Sequence, residues 1–312
     1  MRIIVALGGN AIARRGEAMT VAHQLSNLRV VASCLTTVAG EHDLVITHGN
    51  GPQVGLLALQ AAATDEHAYP LDVLGAETQG MIGYFIEIEL RRALPFEQKI
   101  TTVLTLVEVS RDDPAFGDPT KFIGPIYTAE QADALAAERG WTFRMDGAAQ
   151  RRVVPSPAPG RIVQIDSVLQ LLRAHHIVIC SGGGGIPMAR GADGHLSGVE
   201  AVVDKDASSA VLAAAIDADV FVMATDADAV YLDWGTNAQR AIRRISADRL
   251  AEHDFAAGSM GPKVAAAIAY AHASGGRAVI GKLEDIEKML TGSAGTVIEA
   301  ADVPTEFYAV SA

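Results

Sequence analysis

Five short runs of aliphatic, largely β-branched residues recur along the chain: "IIVAL" (3 to 7), "LVIT" (44 to 47), "TVLTLVEV" (102 to 109), "IVIC" (177 to 180) and "VFVMAT" (220 to 225). Runs with no polar alternation suit strands covered on both faces, not strands of a sheet with one wet side. Each leads into a glycine-containing corner and then a stretch of helical periodicity. The helical stretches include Thr20 to Val38, Leu74 to Leu94, Thr128 to Arg139, Asp204 to Ala215 and Pro262 to Ala273. Such alternation predicts right-handed βαβ units, an α/β fold and a mainly parallel central sheet. Thr128 with Gln131 forms a capping-box start, and Pro262 suits a first helical turn. Two proline-rich segments, "DDPAFGDPTKFIGP" (112 to 125) and "VVPSPAPG" (153 to 160), bracket a helix and a β-like piece. They read either as the two ends of a small excursion from the sheet or as two surface loops.

The 312 residues, 49% apolar and only 5% aromatic, are enough for one large α/β domain or two medium ones. A formal net charge of −12 and a pI near 5.2 oppose non-specific attraction to nucleic acid or anionic membrane, which leaves a small-molecule substrate. Cys34 and Cys180 are far apart and form no C-x-x-C pair, so both are read as buried core in a reducing compartment. The apolar run Ile3 to Leu7 is too short for a signal-peptide core, and Asp217 and Asp219 interrupt the most apolar later region. A soluble, cytoplasmic protein is the expectation.

Familiar templates are missing. There is no G-x-x-x-x-G-K-[ST], H-E-x-x-H or G-x-S-x-G, and "GNGPQVG" (49 to 55) places its last glycine one residue too far for a dinucleotide fingerprint. The chain has instead three glycine corners, each directly after an apolar run: "LGGNA" (7 to 11), "THGNGPQVG" (47 to 55) and "SGGGGIP" (181 to 187). In a parallel sheet the carboxyl ends of the strands share one edge, so three such corners would line one crevice. Glycine corners let backbone N–H groups close on an anion, which marks Gly8, Gly9, Gly49, Gly51 and Gly182 to Gly184 as a polyanion site. Asn10 and Asn50 would add amide donors there. His48, inside the second corner, reads as a packing or hydrogen-bonding residue, not a general base.

Lysines are scarce, six among 25 basic residues. Lys205 and Lys263 open predicted helices, where a cation opposes the helix dipole but strengthens an anion site. Lys121 stands beside a Gly-Pro corner, whereas Lys99, Lys282 and Lys288 read as ordinary surface charges. A compact ammonium can follow a moving phosphoryl group better than a planar guanidinium fork. Asp206 could orient the lysines, help to hold Mg²⁺, or simply favour the helix start. In "ATDADAVY" (224 to 231), Asp226 and Asp228 suit a ribose, a metal or an ordinary Asp-rich turn.

Taken together, "ALGGNA", "THGNGPQVG", "PLDVLGAETQGMIGY", "DPTKFIGPIY", "RRVVPSP", "GGGGIP", "GVEAVVDKD" and "FAAGSMGPKV" resemble the carbamate kinases of the amino-acid kinase superfamily, in order and over essentially the whole chain. The resemblance implies an αβα sandwich that forms a homodimer. It also implies a carbamate or carbamoyl phosphate lobe within 1–200, a protruding subdomain near 112–157 and a nucleotide lobe within 201–312. It implies reversible phosphoryl transfer between ATP and carbamate, often run toward ATP in arginine fermentation. Lys205 and Lys263 would flank the phosphoryl group, Asp206 would organise them, and Lys121 would reach in from the subdomain. Thr225, Asp226, Asp228, Tyr231, Met260 and Pro262 would meet the nucleotide, with Mg²⁺ held mainly by its phosphates and by water. The rivals are another acid or phosphate kinase of the superfamily, or a binding protein without catalysis. The four glycines at 182 to 185 are expected on the nucleotide side, where a bulky side chain at Gly183 or Gly184 would raise KM for ADP more than it lowers stability.

Overall fold

The computed structural model describes residues 1–14, 16–64, 69–256 and 260–309. Among these residues the main sheet has ten strands. Six parallel strands form its body, in the order Arg277–Lys282, Val220–Thr225, Arg2–Leu7, Asp43–His48, His176–Ile179 and Lys99–Thr102. Thr296–Glu299 continues it antiparallel beside Arg277–Lys282, followed by Arg240–Ser246, which pairs in turn with Val230–Leu232 and Glu306–Phe307.

Both faces are covered, as unbroken apolar runs require. Along the first strand Ile3, Val5 and Leu7 pack with Leu28, Leu35 and Ile82 from the helices Val21–Glu41 and Leu71–Ala93. Ile4 and Ala6 point the other way, toward Leu212, Ala213, Ala267 and Tyr270 from the helices Lys205–Ala215 and Met260–Ser274. Burying each large side chain contributes about 1.5–3 kcal/mol, so the period-two alternation fixes a three-layer αβα sandwich. No helix among the described residues is long and apolar enough to cross a membrane.

"TVLTLVEV" does not form one strand. Lys99–Thr102 closes the main sheet, while Leu106–Val109 joins a second, four-stranded sheet with Ile186–Arg190, Leu196–Gly198 and Arg161–Ile162. Between them the buried side chain of Gln79 substitutes for a strand neighbour. It accepts from the Thr105 N–H at 2.9 Å and donates to the Thr105 carbonyl at 3.1 Å. Cys180 is buried, its thiol pushed up to about 12 by burial, but Cys34 is only half-buried, contrary to its reading as core.

The segment between the two proline-rich stretches builds a third sheet, Lys121–Tyr127, Ala149–Val154 and Thr142–Asp146, all antiparallel, with the helix Ala129–Arg139. That helix begins with the full reciprocal capping box of Thr128 and Gln131. The small sheet stands at the carboxyl end of the main one, above the crevice.

Candidate active site

A cavity of about 2970 Å³ opens along the carboxyl ends of the parallel strands. It is lined by Gly8, Gly9, Asn10, Gly49, Asn50, Gly51 and Gly183, so all three glycine corners reach it. The second corner runs straight into the helix Gly51–Thr64, whose amino-terminal N–H groups add to the favourable field for an anion.

Helix Lys205–Ala215 supplies the charged centre. Its N-cap, Asp204, accepts from the N–H groups of Asp206 at 2.9 Å and Ala207 at 3.1 Å through Oδ1, while its Oδ2 holds the Lys121 ammonium. Asp206, one turn position further, splits its oxygens between two cations: Oδ1 to Lys205 Nζ, and Oδ2 to Lys263 Nζ at 3.0 Å. Lys263 stands in the first turn of Met260–Ser274. Three lysines from three remote segments therefore share two carboxylates at the cavity wall. Burial disfavours the charged Asp206, yet Lys205 and Lys263 hold its carboxyl well below the usual range. Burial likewise draws the Lys205 ammonium below its ordinary value, and the Lys263 charge adds to that.

Hydroxyls fix the centre to the sheet. Ser209 Oγ donates to the Lys205 carbonyl at 2.7 Å and meets Thr47 Oγ1 at 2.7 Å, and Ser208 Oγ meets Ser181 Oγ at 2.8 Å. Asp204, Ser208 and Ser209 are absent from the sequence-derived site. "DKDASSA" carries them, but nothing local shows that the first aspartate caps a helix and holds a lysine 83 residues away at once.

Several expectations change on contact with the geometry. The Asn10 amide donates to Asp226, and the Asn50 amide donates to Thr78 Oγ1 at 2.8 Å, so each is engaged with protein. Gly182 and Gly184 are buried, and neither lines the cavity; they pack against His48 and the Val203 backbone. Thr225, Asp226, Tyr231, Met260 and Pro262 do line it, whereas Asp228 does not and accepts the Tyr231 hydroxyl at 3.0 Å. Lys282, read from sequence as a surface charge, lies on the cavity wall because its strand ends level with Thr225. Trp234, 70% exposed, joins Tyr231 there with ring centroids 4.9 Å apart. Ala257 to Ser259 of the "FAAGSMGPKV" motif lie outside the described residues.

His48 is fully buried, and its pKa is pushed down to about 4, by burial first and then by the Lys205 charge, so the ring is neutral at pH 7. An unfolded chain would protonate the same ring near 6.5, before the native state does. Stability from the neutral ring is therefore intact above pH 6.5 and is lost as pH falls toward 4, by about 3 kcal/mol in all. Chemical denaturation at pH 7.0, 5.5 and 4.5 should show a steeper loss for the native sequence than for His48→Gln. Parallel slopes would exclude a neutral buried His48.

The profile of the amino acid kinase family matches residues 1–282. A carbamate kinase of Haemophilus influenzae is 53% identical over 310 residues, covering 99% of this chain and all of that protein. One of Rhizobium meliloti is 52% identical over 304 residues, covering 96% of this chain and 94% of that protein. Among solved structures, the carbamate kinase of Giardia lamblia bound to AMP-PNP superposes with a TM-score of 0.87 at 35% identity, covering 95% of this chain and 98% of that one. Sequence and architecture agree over nearly the whole length, and the chain belongs to the amino acid kinase family, among its carbamate kinases.

Proposed function

We propose that this site transfers a phosphoryl group reversibly between ATP and carbamate, giving ADP and carbamoyl phosphate. The observation that carries the reading is the three-lysine, two-aspartate centre at the end of the glycine corners. Carbamate is already an oxygen anion, so no side chain need remove a proton before it attacks the γ-phosphorus. The bond from that phosphorus to the β–γ bridging oxygen breaks, and ADP leaves. The barrier is bringing two anions together while charge spreads over the phosphoryl oxygens, which cations and backbone donors held in place relieve.

In this reading Lys205 and Lys263 flank the transferring group, oriented by their shared Asp206. Lys121, held by Asp204, covers it from the small sheet. Gly8 and Gly9 with Gly49 and Gly51 receive phosphate and the carbamoyl end, beside the Asn10 and Asn50 amides, each of which has one hydrogen given to Asp226 or Thr78. Thr225, Asp226, Tyr231, Met260 and Pro262 line the nucleotide side, and Asp228 supports Tyr231. Mg²⁺ fits this donor set as part of the nucleotide complex, through phosphate oxygens and water, because Asp204 and Asp206 are already committed to lysines. The same reading includes a homodimer, with Tyr69, Val73 and Tyr84 exposed on or beside the helix Leu71–Ala93, and a cytoplasmic setting, supported by two unpaired cysteines.

The forward reaction tests the substrate. ADP release from ATP should require bicarbonate together with ammonia, which combine to carbamate in solution. Stimulation by acetate or aspartate in their place would move the chain to another acid substrate.

A further inference from the structure

The second glycine corner, "GNGPQVG", ends in a residue that the phosphate-facing account does not use. Gly55 is the fifth residue of the helix Gly51–Thr64, is buried, and lies off the cavity wall. A glycine inside a helix costs about 1 kcal/mol relative to alanine, and here, unlike at Gly75 and Gly80 where an added Cβ would meet nothing within 4 Å, a close contact accompanies it. A Cβ at Gly55 would overlap the Cα and N of Gly124 and stand 3.3 Å from the Ile123 carbonyl carbon. Helix backbone and strand backbone thus lie directly on each other.

Gly124 is equally specific. It adopts φ +68 where the register of Lys121–Tyr127 against Ala149–Val154 slips, between Ile123 and Ile126. Its carbonyl accepts from Arg151 Nε at 2.9 Å. Three residues before it on the same strand is Lys121, whose ammonium bonds Asp204 in the charged centre. Among the described residues this edge is also held by the apolar packing of Ile123 and Val154 on Val54, Ala58, Leu71 and Leu74, by the Val202 N–H to the Pro155 carbonyl at 2.9 Å, and by the Arg152 to Glu200 pair at 3.6 Å. The backbone bond lies beyond the strand end, the ion pair is long, and the side-chain packing can shift by rotamer. A backbone-on-backbone contact cannot.

We propose that the Gly55–Gly124 contact is the seat of the small sheet, and that both glycines are positioning residues that set the height of Lys121 over the transferring phosphoryl group. The inference rests on the reading of Lys121 as a phosphoryl contact. Any side chain at Gly55 lifts the strand and withdraws the lysine, and a displacement of about 1 Å can cost about 100-fold in rate.

The test is a double-mutant cycle in the ATP-forming direction, with native protein, Gly55→Ala, Lys121→Ala and the double variant. Melting temperature and KM for ADP are recorded for each. Gly55→Ala should lower kcat about 100-fold with KM for ADP within about 2-fold, yet cost less than about 3-fold on the Lys121→Ala background. Equal fold losses on both backgrounds, or native kcat in Gly55→Ala, would overturn the seat. Should Gly55→Ala not fold, Gly124→Ala replaces it, because its added atom comes no closer than 3.5 Å to Gly55 and strains only the strand. It should lose about 10-fold in kcat, and again not on the Lys121→Ala background. Full activity in Lys121→Ala alone would instead remove the role given to Lys121, a result distinct from failure of the seat.

Discussion

Lys205→Ala and Lys263→Ala should each fall by about 100-fold or more in turnover while remaining folded, and Asp206→Ala should lose both turnover and stability. The asymmetry follows from the connectivity of the centre. Removing either lysine leaves Asp206 bonded to the other, so its buried carboxylate keeps a partner. Removing Asp206 leaves two largely enclosed ammonium groups without their shared, buried counter-charge, and breaking a buried pair costs up to about 3–5 kcal/mol. A polyanion would replace part of what is lost, so ADP should raise the melting temperature of Asp206→Ala more than that of the native protein. Wild-type rates in both lysine variants would exclude their role, and an Asp206→Ala variant of native stability would exclude the shared-carboxylate account.

Gly184→Val should fail at the level of folding, before any effect on ADP can be read. Gly184 has φ +90, a left-handed conformation that costs a residue bearing a Cβ about 1–2 kcal/mol. The same Cβ would come within 2.9 Å of the Val203 carbonyl carbon, in backbone that leads directly into Asp204. Overpacking of this kind adds about 1–3 kcal/mol. A total near 2–5 kcal/mol is a large fraction of a domain's stability. The four glycines are therefore first a packed reversal between two sheets, and only Gly183 meets the cavity. A soluble Gly184→Val variant with native melting temperature and raised KM for ADP would restore the purely nucleotide-facing reading.

These two cases also show what the sequence could and could not reveal. Apolar runs such as "IIVAL" announce a doubly covered sheet because both faces of Arg2–Leu7 are buried, a property that composition records residue by residue. Lys205 and Lys263 were legible because a lysine at a helix start has no local justification. The capping box at Thr128 was legible because all its partners lie within four residues. Contacts across long stretches of chain left no such mark. Gln79 divides "TVLTLVEV" from 26 residues away, Asp226 occupies the Asn10 amide from 216 away, and Lys282 reaches the cavity only through strand order. The glycines at 182 and 184 look like anion-binding residues in sequence. Their reason, close approach to His48 and to Val203, appears only when the strands are assembled.

The most direct measurement of the central claim is ATP formation from ADP and Mg²⁺ with carbamoyl phosphate, compared with acetyl phosphate at equal concentration. A centre built to receive the carbamoyl end and its phosphate at the glycine corners predicts rapid ATP formation with carbamoyl phosphate and a clearly lower kcat/KM with acetyl phosphate. Equal or better use of acetyl phosphate, or no ATP from either, would contradict it.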